Sequence, residues 1–135
     1  MTLEIIPHSH QDLLVDETRA FAFLATTMPG GSAQVTPVWF NTDGDYILIN
    51  SVKGRVKDKN MRARPKVALA IPDPEDPYRY LQVRGEVIEI TEEDAEDHIH
   101  TLAGIYLGEP EFKNLKPGDV RVTYKISPIS VSTLG

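Results

Sequence analysis

Between Ala20 and Val52 the chain carries three strand-type segments whose connections are too short to hold anything but a direct reversal. Ala20 to Met28 is apolar-rich, Met28-Pro29-Gly30-Gly31 reads as a turn, and Ala33 to Asn41 resumes a strand composition. Asp43-Gly44-Asp45 turns the chain again, and Tyr46 to Val52 follows. Parallel neighbours need a crossover of roughly a dozen residues or more. This run therefore predicts an antiparallel meander.

The remainder extends the same pattern. Gln11 to Arg19 has little β-branching and predicts a short helix ahead of the meander. Val56 to Ala63 is charged and is closed by Arg64-Pro65, because a residue before proline is pushed out of the α region, and it predicts a second short helix. Lys66 to Ile71 reads as a buried strand, Pro72 to Pro77 as a rigid acidic loop, and Arg79 to Ile90 as a long strand in which Gly85 marks a bulge. Thr91-Glu92-Glu93-Asp94 has the form of a capping box. Behind it Ala95, Ile99, Leu102, Ala103 and Tyr106 recur at helical spacing until Gly108 and Pro110 stop the run. Glu109 to Asp119 is loop, and Val120 to Val131 is a last strand broken near Pro128. Six strands pairing mostly with sequence neighbours, plus peripheral helices, predict a mainly β fold, a small antiparallel barrel rather than a doubly wound sheet.

A length of 135 residues with no linker or repeat predicts one domain spanning 1–135. The longest apolar runs, Ala20 to Ala25 and Val67 to Ile71, are too short to cross a bilayer, and Met1 to His10 lacks the form of a leader, so a cytoplasmic protein without a membrane partner is expected. Zero cysteines exclude disulfides, thiolate catalysis and thiolate metal sites. A net charge of -6 argues against a nucleic-acid partner. The distribution of that charge is more telling. Seven of the fourteen basic residues, Lys53, Arg55, Lys57, Lys59, Arg62, Arg64 and Lys66, lie in one short segment opposed only by Asp58.

Such a concentration in an acidic chain points to a localised anion. In Asn50-Ser51-Val52-Lys53-Gly54-Arg55-Val56-Lys57 a strand leaves through a glycine into a helix start. There the cations of Arg55 and Lys57, the Ser51 hydroxyl and the free first-turn amides can converge on a phosphate. The competing reading is a solvated basic helix. Pro37, inside Gln34-Val35-Thr36-Pro37-Val38-Trp39-Phe40, must end the ladder on one side; the freed backbone could meet a planar heterocycle, or the residue simply protects a strand edge. Tyr78 and Tyr80, flanking Arg79, read as packing unless a partner subunit brings them to a ligand. His98 and His100 are two apart on a helix, on different faces, so no metal is expected. His8 and His10 fall in a terminus expected to fray. No catalytic triad or carboxylate pair can be argued from spacing, which leaves the hard chemistry to a cofactor.

These residues resemble a known family. The Pro-containing strand ending Trp39-Phe40, the strand ending Asn50-Ser51, the run Gly54-Arg55-Val56-Lys57-Asp58-Lys59-Asn60, then Arg64-Pro65-Lys66-Val67-Ala68 and Tyr80-Leu81-Gln82-Val83-Arg84-Gly85-Glu86-Val87 are similar to the pyridoxamine 5'-phosphate oxidase-like split β-barrel superfamily. The likeness runs from roughly Leu13 to Val131 and is greatest to the small branch that uses the deazaflavin coenzyme F420. It implies a six-stranded split barrel and a homodimer with two cofactor sites at the subunit interface. Arg55 and Lys57 would hold the cofactor phosphate, and Ser51 and Asn50 would line the ribityl chain. The backbone of Gln34, Val35, Thr36, Pro37 and Val38 would meet the ring. Tyr78 and Tyr80 would arrive from the other subunit, with Tyr80 the best candidate for a proton donor, and Asn60 would be structural.

The activity implied is an oxidoreductase moving a hydride between the deazaflavin and an electron-poor organic substrate. Flavin mononucleotide (FMN) is the alternative cofactor, and a non-catalytic flavin- or haem-binding protein the alternative function. The deazaflavin carries a polyanionic tail beyond its phosphate, and Lys59, Arg62 and Arg64 are surplus cations that could meet it. The chain lacks the C-terminal extension of true pyridoxamine phosphate oxidases, which argues against vitamin B6 oxidation.

Overall fold

The computed structural model describes residues 3–135. Its strands are β1 (Ala22–Thr27), β2 (Ala33–Val38), β3 (Asn41–Asp43), β4 (Tyr46–Val52), β5 (Lys66–Asp73), β6 (Asp76–Thr91) and β7 (Arg121–Leu134). Two α-helices interrupt them, α1 (Val56–Ala63) and α2 (Ala95–Leu107). All seven strands join one antiparallel sheet in the order β2-β1-β5-β6-β7-β4-β3. The fold is the mainly β split barrel that the sequence predicts. Its core is an apolar cluster that includes Leu24, Ile47, Ile49, Leu69, Leu81, Val83, Tyr124 and Ile126.

The strand count is seven rather than six. The predicted strand Ala33 to Asn41 breaks at Trp39-Phe40, so that β2 pairs with β1 while β3 pairs with β4. A side chain from α2 supplies the reason. The Tyr106 hydroxyl accepts from the Phe40 amide at 3.2 Å and lies 3.2 Å from the Phe40 carbonyl, giving that residue's backbone partners outside the ladder. The same hydroxyl donates to the Ala20 carbonyl, and burial pushes its pKa up to about 12.

Other boundaries shift for local reasons. The predicted first helix forms as two 3-10 segments, His8–Leu14 and Asp16–Thr18, separated by an extended Val15. His10, expected to fray, is 2% exposed and its Nε2 lies 3.0 Å from the Leu134 carbonyl, tying this segment to the end of β7. The acidic Pro72 to Pro77 stretch is a tight reversal between β5 and β6, closed by Asp73 and Asp76 carboxylates that accept from the amides of Glu75 and Tyr78. Helix α2 begins at Ala95 behind a left-handed Asp94, so Thr91 does not cap it; its hydroxyl accepts from the Glu93 amide instead. Gly108, at φ 67°, closes the other end.

The last strand continues through Pro128, whose missing N–H is accommodated where β6 shifts register between Arg84 and Gly85. A Cβ at Gly85 would sit 2.7 Å from the Ser127 carbonyl oxygen and 2.9 Å from Ile126 Cγ2. Gly85→Ala is expected to lower stability by about 1–3 kcal/mol, as overpacking against backbone does. An unchanged urea midpoint would show that the strands can separate there freely.

A candidate cofactor site

The split between β2 and β3 opens a cavity of about 830 Å3. Pro37, Val38 and Trp39 form one wall, Asn50 and Ser51 at the end of β4 another, and Arg55 and Lys57 enter from the start of α1. Gly54 makes this corner possible, since φ +96° is open to glycine and strained for other residues. Asp58 fixes it. That carboxylate, 1% exposed, accepts from the Gly54 amide at 2.9 Å, from Arg62 Nε at 3.0 Å and from the Tyr124 hydroxyl. Burial pushes the Asp58 pKa up, but the bonds from Gly54, Tyr124 and Arg62 outweigh it and hold the group below its ordinary value. An inward carboxylate thus anchors the turn that aims two cations outward.

The electrostatics are those of an anion site. Among the described residues Arg55, Lys57 and Arg121 take part in no ion pair. Lys57 is held below its usual pKa by burial and by the charges of Arg55 and Arg121, and Arg121 by burial and by Arg55. Three cations repelling one another around a cavity lack their counter-charge. The Ser51 hydroxyl is buried beside them without a hydrogen-bond partner, as is that of Thr36 in β2. Leaving a buried hydroxyl unpaired costs about 1–3 kcal/mol, which a ligand oxygen would recover. The volume, the cations and the orphaned Ser51 oxygen fit a phosphate-bearing ligand with a planar ring.

Several of the residues singled out in the sequence meet here: Pro37, Val38, Asn50, Ser51, Arg55 and Lys57. Asn50 lines the cavity while tied into the protein's own network. Its amide donates to the Ala95 carbonyl at 2.8 Å and to His98 Nδ1 at 3.1 Å, and its oxygen accepts from Arg121 Nε at 2.8 Å, which leaves one lone pair of that oxygen for a ligand. Gln34 accepts from the Thr26 hydroxyl, Val35 is 61% exposed, and neither lines the cavity, nor does Thr36. Tyr78, 82% exposed, and Tyr80, paired with Pro72 and Leu134, lie outside this chain's cavity. Of the surplus cations, Arg62 is held by Asp58, Arg64 donates to the Thr27 carbonyl and to Asn60 Oδ1, and Lys59 projects from α1. None of the three lines the cavity. Asn60 is structural as expected, donating to the Thr26 hydroxyl and Met28 sulfur.

Sequence reasoning missed the far wall. Arg121 enters from β7 with its guanidinium 5.4 Å from the Phe112 ring centre, and Lys113 and Lys116 follow on the loop after α2. Phe21, Tyr106 and Trp39 stack in turn, with Tyr106 parallel to Trp39 to within 7°, and Phe112 meets Trp39 edge-on at 87°. His98 faces Asn41 and Asn50, whereas His100 accepts from the Phe112 amide and braces the loop. Among the described residues no three potential ligands cluster to hold a metal, and no helix is long and apolar enough to cross a membrane.

Known proteins carry the same architecture. A solved structure described as an F420 reductase is 32% identical, with 94% of this chain and 98% of that one covered at a TM-score of 0.81. A conserved hypothetical protein of Mycobacterium tuberculosis (22% identity, TM-score 0.72, 96% and 84% covered) and HupZ of Group A Streptococcus (18%, 0.67, 96% and 94%) share the fold. No curated protein sequence matches the chain. Residues 8–131 match the family model described as pyridoxamine 5'-phosphate oxidase, and the chain belongs to that family of flavin-type oxidoreductases.

Proposed function

We propose that the cavity binds the deazaflavin coenzyme F420 and that the protein passes a hydride between it and an electron-poor organic substrate. The observation that carries this reading is the trio Arg55, Lys57 and Arg121, in no ion pair among the described residues and lining the same cavity as the orphaned Ser51 hydroxyl. The bound cofactor supplies the redox chemistry. The chain supplies a phosphate cradle at the start of α1 and an aromatic wall at Trp39 against which a planar system can lie. FMN would use the same cradle. Two observations favour the deazaflavin: the 32% likeness to an F420 reductase, and the lysines at the cavity, Lys116 and the partly committed Lys113, which pairs with Glu109 at 3.2 Å. Those two residues take over the tail-binding role that charge counting gave to Lys59, Arg62 and Arg64.

The assembly proposed is a homodimer. Phe23, Ala25, Val35, Pro37, Ala68 and Ala70 share one face of β1, β2 and β5 by register, and Phe23 and Val35 are 42% and 61% exposed. An apolar sheet face of this kind is a subunit interface in waiting. A second subunit would cover it and could present its own Tyr78 and Tyr80 to the first.

Equilibrium dialysis of the protein against both cofactors tests the reading. Tighter binding of the deazaflavin, weakening with salt and with Lys113→Gln/Lys116→Gln, supports it. Tighter FMN binding indifferent to those changes would assign FMN instead, and retention of neither would end the cofactor proposal. Light scattering is expected to give about 30 kDa, twice the 15.1 kDa chain.

A further inference from the structure

Arg121 is presented to the cavity by a chain of hydrogen bonds with only one consistent direction. The Ala95 carbonyl can only accept, so the Asn50 amide nitrogen must face it, at 2.8 Å. That orientation puts Asn50 Oδ1 toward Arg121, whose Nε donates to it at 2.8 Å. It also makes Asn50 Nδ2 the donor to His98 Nδ1 at 3.1 Å. His98 Nδ1 is thereby an acceptor, its proton resides on Nε2, and Nε2 donates to Asn41 Oδ1 at 2.8 Å. The Thr123 hydroxyl, 3.3 Å from Nδ1, can donate to the same atom.

We propose that His98 and Asn50 are positioning residues that hold Arg121 as the third cation of the anion site. With Nε committed and the guanidinium lying over Phe112, the terminal nitrogens of Arg121 remain as donors for the ligand. The charged groups coupled to Arg121 are Arg55 and, on its own side, Asp119; Lys57 feels its charge. None of these replaces the Asn50 bond. A neutral imidazole suits the role, since it accepts from Asn50 without adding a fourth positive charge. Burial, and Arg121 beside it, lower the His98 pKa to about 4, which keeps the ring neutral at ordinary pH. The proposal rests on the cofactor reading for the identity of the anion but not for the hydrogen-bond chain.

Two measurements decide it. Nitrogen-15 NMR of the ligand-free protein at pH 7 is expected to show His98 as the neutral Nε2–H tautomer, and an Arg121 Nε–H signal protected from exchange in the parent. In Asn50→Ala and His98→Leu that protection should be lost or clearly reduced. The other tautomer, or an Arg121 signal indifferent to both changes, would overturn the proposal. Affinity for FMN by dialysis is then read in a double-mutant cycle. Arg121→Gln should cost about tenfold, the loss of one charge-assisted contact. His98→Leu should cost roughly three- to tenfold in the parent and in an Arg55→Gln background, yet nothing further once Arg121 is gone. Equal loss in the Arg121→Gln background would make His98 a general structural residue. His98→Gln, whose side-chain oxygen can accept from Asn50, should recover part of the affinity and covers the case in which leucine impairs folding. If neither cofactor binds the parent, the cofactor reading fails while the NMR arm still decides the positioning claim.

Discussion

Replacing Arg55, Lys57 and Arg121 together with glutamine is expected to weaken binding of FMN or the deazaflavin by about 10²–10⁴-fold without unfolding the protein. Each charge-assisted hydrogen bond to phosphate contributes roughly 1.5–3 kcal/mol, and losses at neighbouring sites do not add fully, so the triple effect falls short of the simple product. Stability should move the other way. After burial, the charges of Arg55 and Arg121 hold Lys57 below its usual pKa and that of Arg55 does the same to Arg121, so removing all three relieves a repulsion that folding must otherwise bear. A variant with an equal or higher thermal midpoint and little affinity would separate binding from folding. Affinity within threefold of the parent would remove the phosphate assignment, whatever the thermal midpoint does.

The largest stability effect is expected at Asp58, which touches no ligand. Asp58→Ala would strand the Tyr124 hydroxyl in a residue that is 0% exposed, free the Gly54 amide and leave Arg62 without its carboxylate. Arg62 keeps access to water, so the cost comes mainly from the polar groups left without a partner, at about 1–3 kcal/mol for a buried one, and a loss of about 2–4 kcal/mol is expected in urea denaturation. Asp58→Asn keeps the shape and an acceptor and should cost less. The pH dependence has a definite sign. Because the folded pKa lies below the ordinary carboxylate value, the Asp58 contribution is complete above the unfolded pKa of 3.8 and is lost as pH falls through the folded one. A loss under about 1 kcal/mol for Asp58→Ala would mean that the corner at Gly54 is held by the backbone alone.

What the sequence discloses about the site is what lies close together along it. Ser51, Gly54, Arg55 and Lys57 fall within one strand-to-helix turn, so local geometry suffices to group them. Arg121 lies 71 residues from Asn50, and only the β4–β7 pairing, Asn50 against Thr123 and Val52 against Arg121, brings it in. The break at Trp39-Phe40 was illegible for the same reason, since the hydroxyl that replaces the ladder comes from Tyr106, 66 residues on. Charge counting does not disclose that Arg62 and Arg64 have partners of their own, because composition records cations and not what they touch. The Asp58 to Arg62 spacing of i, i+4 is itself a readable ion pair, whereas the bond from Arg64 to the Thr27 carbonyl is tertiary. An irregularity at Gly85 is legible because a glycine inside a strand pattern has few other uses, although the extra residue, Ile129, lies opposite it in β7.

The chain contains one tryptophan, and it stands on the cavity wall. Ultraviolet light absorbed by Trp39 is therefore emitted from a single place in the molecule, the place where a ligand would lie. The five tyrosines include Tyr106, stacked on that indole with ring centres 5.3 Å apart, so excitation of this phenol also drains into it. A yellow chromophore entering the cavity absorbs where indole emits and would darken the whole of that emission. The protein thus carries its own optical probe, and its colour and its fluorescence should change as one event.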